Sequence, residues 1–418
     1  MSAPTPWALV RAVLLGSLVA AGPATSQVPS PIAPTPVTIA LVTIGPGAAA
    51  WERFGHNLLR VRGGPEQLDR VWDWGRFSFD TERFFIRFAQ GDLRYWMQGA
   101  DGAGTVAWYA NTGRTIREQH LALTQDQATQ LLDFLRWNDT DEHRYYQYHY
   151  YNDNCSTRIR DALDAVLGGA LRARTDTVIT PWSYRQATQR LNQHNPLLYF
   201  GLTTLLAGTT DRKMTGWEEM FLPAGLERWV RELSVTDVAG VPGPLVASET
   251  IIAEGGRFPL PDTPGRWWPG FLAVGAAIGL ALAGSGRTRD RLGRAFLPLA
   301  AGYTFAAGLL GLIMALLWSV SGHQVAWRNE NLWQFNLAAL ALLPLLPAGA
   351  RGAGPRARAA LRLGQLIVGC SVLGVVLKAL PGFAQQNWDV IALAVPANVG
   401  LLVGLMGRER SAVGGERE

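Results

Sequence analysis

Cys155 is the one cysteine ahead of the apolar C-terminal part of the chain, and Cys370 falls inside an apolar run, so the two are badly placed to pair. It follows Asn152-Asp153-Asn154 and precedes Ser156-Thr157, a pattern that starts a helix with Asn154 as the N-cap. A thiol in the first helical turn faces the positive end of the helix dipole and several unbonded N–H groups. That setting favours the thiolate and offers donors to an oxyanion. The plainer alternative for the same residue is a small apolar side chain buried at a helix start.

A thiol nucleophile needs a base, and His56, His120, His143, His149 and His194 are available. His56 opens a strand-like run, Phe54-Gly55-His56-Asn57-Leu58-Leu59-Arg60, and Asp73 lies on the next one. A carboxylate on a neighbouring strand can hold an imidazole tautomer, so the spacing points to a Cys155–His56–Asp73 triad. Any single histidine is more often a surface or hydrogen-bonded one. His143 and His149 sit in a tyrosine-rich stretch and are expected to be structural or substrate-lining; with Asp153 they lack any standard metal-ligand spacing, so no metal is expected. No cofactor is expected either.

These residues need elements to position them. Thr38 to Thr43 is β-rich, and His56–Arg62 and Arg70–Trp74 alternate around the turn Gly63-Gly64-Pro65, which predicts a hairpin carrying His56. Thr124 to Trp137 predicts a helix with Leu131, Leu132, Phe134 and Leu135 on one face. A second helix runs from Asn154, with Ile159, Leu163, Val166 and Leu167 in register, to a stop at Gly168-Gly169. Thr180 to Leu233 reads as mostly helical. The expected fold class is therefore α+β for residues 37–233, followed by a Gly- and Pro-rich juxtamembrane linker over 234–266.

The chain of 418 residues changes character along its length. Hydrophobic residues make up 48% of it, which excludes disorder, and they crowd toward the C-terminus. Five apolar spans are expected near Trp268–Gly284, Arg294–Ser319, Leu332–Ala348, Arg362–Leu380 and Trp388–Met406, forming an all-α membrane domain over 267–407 with a tail at 408–418. Arg287, Arg289, Arg291 and Arg294, then Arg351, Arg356, Arg358 and Arg362, then Arg408, Arg410 and Arg417 flank one end of the spans. The positive-inside rule makes that end cytoplasmic and exports the N-terminal part together with the loop around His323. Residues 1–26 read as a secretory signal peptide, with an uncleaved signal anchor as the alternative, and 27–36 as a Pro-rich linker. The net charge of +5 does not imply nucleic acid, because the arginines flank apolar spans rather than forming a stripe.

Several blocks carry a resemblance. Trp51-Glu52-Arg53-Phe54-Gly55-His56-Asn57, Val71-Trp72-Asp73-Trp74-Gly75-Arg76-Phe77, Arg87-Phe88, Gly91-Asp92-Leu93-Arg94-Tyr95-Trp96, Tyr150-Tyr151-Asn152-Asp153-Asn154-Cys155 with Arg158 and Asp161, and Gly216-Trp217-Glu218-Glu219-Met220-Phe221-Leu222-Pro223 resemble the Lnb N-terminal periplasmic domain family. The resemblance extends to the multi-span half with His323 and Asn331 in one exported loop. It implies a bacterial inner-membrane enzyme that N-acylates lipoproteins, with an exported thiol domain similar to permuted papain-like hydrolases, in which the histidine precedes the cysteine. Asp73 stands where members of that family often carry asparagine.

The expected function is transfer of a fatty acyl group from a membrane phospholipid, through a Cys155 thioester, to the N-terminal amine of a diacylglyceryl-lipoprotein. Alternatives are a membrane-anchored Cys-His hydrolase of cell-wall peptides or lipid esters, and a non-enzymatic scaffold. Beyond the triad, Arg87, Arg94 and Arg114 are candidates for phosphate contact, and Tyr151 and Asn154 for lining the site. His323 and Asn331 are candidates on the acceptor side, with His323 taking the proton of the incoming ammonium. Phe84, Phe85, Phe88, Tyr95 and Trp96 either dip into the membrane interface or pack in the core.

Overall fold

The computed structural model describes residues 35–236, 240–255, 261–288 and 290–415. The expected signal peptide and most of the Pro-rich linker lie outside the described residues. The chain builds an α+β region on an antiparallel sheet and then five long apolar helices.

The sheet has seven strands. Six of them are β1 (Thr38–Ile44), β2 (His56–Gly63), β3 (Leu68–Arg76), β4 (Arg94–Asp101), β5 (Ile116–Leu121) and β6 (Tyr145–Gln147), and the seventh is Val246–Ala253. Their spatial order is Val246–Ala253, β5, β1, β2, β3, β4, β6, with every neighbouring pair antiparallel. β1 is an interior strand and reads as a near-continuous apolar run because both of its faces are covered. On one face Ile39, Leu41, Leu59, Val61, Trp72 and Trp74 join the largest core. On the other, Val42, Ile44, Leu58 and Val71 form a smaller one.

Four helices position the site: α1 (Phe84–Gln90), α2 (Gly102–Ala110), α3 (Gln125–Asn138) and α4 (Cys155–Val166). α3 starts with a Thr124–Gln127 capping box and buries Leu131, Leu132 and Leu135, while Phe134 stays at the rim, its ring stacked 6.4 Å from that of Trp74. α4 buries Ile159 and Leu163 in the same core and ends at Gly168 and Gly169, both at positive φ.

The stretch 234–266, expected as a plain linker, contains strands. Val246–Ala253 pairs with β5 along the sheet edge, and Glu249 accepts from Gln119 Nε2 at 2.9 Å. Its β-branched residues override the surrounding glycine and proline content. The apolar helices are Trp268–Arg287, Arg291–Ser319, Glu330–Arg351, Pro355–Ala379 and Trp388–Ala412, each long enough to cross a bilayer. The third is broken into short α and 3-10 pieces around Pro344 and Pro347, which remove backbone donors. The loop after the second helix is tied to the N-terminal region: Asn329 Nδ2 and Asn331 Nδ2 each donate to Thr204 O at 2.8 Å, and Ala207 N donates to Val325 O at 2.7 Å.

Candidate active site

Asn154 caps α4 as its residue type predicts. Its Oδ1 accepts from the Ser156 and Thr157 amides, both at 2.9 Å, while its Nδ2 donates to Tyr150 O and Phe221 O. The segment Trp217–Phe221 buttresses the same turn, since Ser156 Oγ donates to Met220 O at 2.7 Å and Arg160 Nη1 to Trp217 O at 2.9 Å. The first turn of α4 is therefore rigidly held, with half-buried Cys155 at its first position.

His56 and Asp73 lie on the sheet face opposite to the core that receives α4. Continuing the Leu59–Trp72 register places His56 across from Gly75, so Asp73 is its diagonal neighbour on the same face. The His56 Nε2 to Asp73 Oδ2 distance is 2.7 Å, and Arg76 Nε donates to the other carboxylate oxygen at 2.8 Å. With Nε2–H donating to Asp73, Nδ1 is the basic nitrogen of the ring. Gly55, at φ +84°, turns the chain into β2; a Cβ there would come within 2.7 Å of Ile44 O.

The thiol reaches the imidazole around the end of β3. The β3–β4 register shifts between Asp73 and Arg76, and Gly75 in that bulge has φ +93°. A Cβ on Gly75 would lie 3.5 Å from Cys155 Cβ, so glycine permits close approach as well as the turn. Cys155 lies near enough to the His56 ring to bias its charge. Burial alone would push the imidazole pKa down, but nearby Tyr109 and Cys155 and the hydrogen bond with Asp73 hold it well above its ordinary 6.5. Tyr109 on α2 forms a wall, its ring 6.2 Å from that of His56. Arg114 closes that side, with Nε donating to Gly45 O at 2.7 Å and Nη1 lying 3.6 Å from Glu52 Oε1. This arrangement can pass a proton from thiol to imidazole and stabilise the resulting imidazolium against a buried carboxylate.

The other expected site residues fall elsewhere. Asn154 spends its whole amide on the cap and its two carbonyl partners, so it positions Cys155 and has no group left for substrate. Tyr151 packs on Tyr184 and Phe221 and bonds Thr188 Oγ1 at 2.9 Å, inside a separate apolar cluster. Arg87 pairs with Asp92 at 2.8 Å, and Arg94 lies over the Tyr145 ring at 4.3 Å. Asn331 is fully buried between Thr204 and Asn387, fastening the loop. His323 joins that loop to α1: Nε2 donates to Phe88 O at 2.7 Å, and Nδ1 lies 3.4 Å from the Tyr150 hydroxyl. Both ring nitrogens are engaged, which leaves neither for an incoming amine. His149 Nδ1 accepts from the Tyr151 and Asn152 amides, and His143 Nδ1 lies 2.9 Å from Thr140 Oγ1. Of the aromatic run, Phe85 and Phe88 are exposed, Phe88 with its ring 5.7 Å from that of His323, whereas Tyr95 is in the core.

Sequence reasoning missed Gly75, Arg76, Tyr109 and Tyr146. Tyr146 was open to detection, because Tyr146, Tyr148 and Tyr150 alternate with period two and so share a side of an extended segment.

Thiol, imidazole and carboxylate thus meet on an α+β scaffold that is joined to five apolar helices. Residues 26–190 match the Lnb N-terminal periplasmic domain, and this part of the chain is a domain of that family. A periplasmic-domain family followed by five such helices indicates a multi-pass membrane protein. No curated protein and no solved structure matches the chain.

Proposed function

We propose that this protein is a membrane-bound thiol acyltransferase, which takes a fatty acyl group from a phospholipid onto Cys155 and passes it to the N-terminal amine of a diacylglyceryl-lipoprotein. The observation that carries this reading is the meeting of Cys155, His56 and Asp73 inside a domain whose family is named for lipoprotein N-acylation. We read the α+β region as a permuted papain-like thiol domain; a cysteine at a helix start, packed against an antiparallel sheet that carries the histidine and its carboxylate, supports that.

In the first half-reaction His56 accepts the thiol proton, the sulfur attacks the donor ester carbonyl, and the proton goes to the departing glyceryl oxygen. In the second, the lipoprotein amine attacks the thioester, amide forms, and the thiol is regenerated. Placing the thiol domain against the spans favours both lipid substrates, because their acyl chains can stay in the bilayer while the ester and amine reach Cys155. Arginine-rich ends at Arg287 and Arg291, Arg351 to Arg362, and Arg408 and Arg410 support an inner-membrane protein with its thiol domain in the periplasm.

The test is the mass of the Cys155 peptide in full-length protein purified from membranes, together with N-acylation of a diacylglyceryl-lipoprotein in vesicles. The expected result is a fatty acyl adduct on Cys155, with both adduct and transfer lost in Cys155→Ala. Undiminished transfer by Cys155→Ala would overturn the reading.

A further inference from the structure

The tetrahedral intermediate of this chemistry needs donors beside the sulfur, and the space next to Cys155 offers two without other partners. The first is the backbone amide of Cys155. The cap on α4 takes the amides of Ser156 and Thr157 but not that of Cys155, which has no partner among the described residues. The second is the hydroxyl of Tyr146, on β6, which is buried and makes no hydrogen bond. A buried, unpaired hydroxyl costs stability, so its retention calls for an explanation.

The two donors converge on one spot. The position that a Cβ would occupy on Gly75 lies 3.9 Å from Cys155 N, 4.0 Å from the Tyr146 hydroxyl oxygen and 3.5 Å from Cys155 Cβ. Gly75 keeps that volume free, and the bulge in β3 brings it to the end of the strand. The Tyr146 ring is fixed from behind by the Arg158 guanidinium, 4.2 Å away, which is itself held by Asp153 at 2.7 Å.

From this geometry we infer that the Tyr146 hydroxyl and the Cys155 amide form the oxyanion hole of the site, binding the carbonyl oxygen of an acyl ester in the space left by Gly75. The assignment rests on the proposed thiol acyl chemistry and adds a catalytic residue to it. As the sulfur bonds to the carbonyl carbon, the C=O π pair moves onto oxygen and is met by these two donors. When the pair returns, the bond to the leaving oxygen breaks, that oxygen takes the proton held by His56, and the thioester remains. Burial pushes the Tyr146 pKa well above its usual range, which keeps the hydroxyl protonated and able to donate.

Two reactions of Cys155 in the full-length protein separate this role from others. Acylation by p-nitrophenyl octanoate, read as the single-turnover burst of p-nitrophenolate, passes through an oxyanion. Alkylation by iodoacetamide uses the same thiolate and forms none. Tyr146→Phe removes one oxygen that has no partner, and it should slow the burst about 10²- to 10³-fold while alkylation stays within about twofold. Equal acylation by Tyr146→Phe and wild type overturns the inference and leaves the thiol reading standing. Loss of both reactions together also overturns it, since the hydroxyl would then serve the thiolate or the fold. A wild-type protein that is alkylated at Cys155 but never acylated would instead sink the thiol acyl chemistry on which the inference depends.

Discussion

His56 and Asp73, on adjacent strands and 17 residues apart, are joined by a 2.7 Å hydrogen bond whose carboxylate is only 2% exposed and also holds Arg76. The carboxylate is thus buried between two cationic partners. Removing it leaves Arg76 uncompensated and the ring free to turn. Asp73→Ala should therefore slow loading of Cys155 by about 10³-fold or more. Asp73→Asn should be milder, because its amide oxygen still accepts from Nε2–H. Single-turnover acylation rates of the two variants beside His56→Ala check the order; an Asp73→Ala protein that loads at the wild-type rate would remove Asp73 from the chemistry.

The raised pKa of His56 sets a direction for pH dependence. Its folded-state value lies above the unfolded value of about 6.5, so its contribution to stability is complete below that pH and is lost as pH rises through the raised value. The same deprotonation removes the imidazolium that protonates the leaving oxygen, so loading should fall along that alkaline limb. Asp73→Asn deletes one of the groups that favour the imidazolium, and its limb should move toward lower pH. Rate profiles of wild type and variant, collected at fixed ionic strength, decide this; superimposable limbs would show that Asp73 does not set the His56 charge.

Asn154 serves position rather than contact, and its variants can show it. Asn154→Ala loses the N-cap, worth about 1 kcal/mol, and leaves the buried Phe221 carbonyl and the partly buried Tyr150 carbonyl without their donor, about 1–3 kcal/mol more. Thermal unfolding should shift downward and Cys155 should load slowly. Asn154→Ser keeps an oxygen for the cap and should recover part of the stability. If Asn154→Ala matched wild type in both measurements, the cap would not be what holds the nucleophile.

Local patterns carried much of this architecture. The cap at Asn154, the stop at Gly168-Gly169, the hairpin around Gly63-Gly64 and the five apolar runs are each readable within a short window, and so was the spacing of His56 and Asp73, because hairpin partners lie near in sequence. The contacts that escaped depend on long-range packing. Tyr146 meets Cys155 only because β3 bulges at Gly75, and Asn331 meets Thr204 across 127 positions. The alternation of Tyr146, Tyr148 and Tyr150 marks a shared side but not which ring reaches Cys155, and the Asn331 contact leaves no periodic trace. Polar residues such as Asn154 and Asn331 look alike in sequence whether they bind substrate or satisfy buried backbone carbonyls, and only the hydrogen-bond inventory separates the two.

The same inventory changes what is expected of His323. As a free exported histidine it suits the deprotonation of an incoming amine, and its loss would then slow discharge of the thioester while sparing loading. In the structure its Nε2–H holds Phe88 O, its other nitrogen faces the Tyr150 hydroxyl, and the adjacent Gly322 amide donates to Gln90 O at 2.7 Å. This joint fixes the loop between the second and third apolar helices to α1, and Tyr150 O in turn accepts from Asn154, next to Cys155. Loosening it should disturb the placement of the whole thiol region relative to the spans. His323→Ala is therefore expected to lower thermal stability and to slow loading from phospholipid and discharge to the lipoprotein amine by similar factors. His323→Gln, whose side-chain amide can still donate to Phe88 O, should restore most of both rates. Separate single-turnover measurements of the two half-reactions provide the check. A defect confined to discharge, and not rescued by glutamine, would show that His323 takes the acceptor's proton and that the joint opens during turnover.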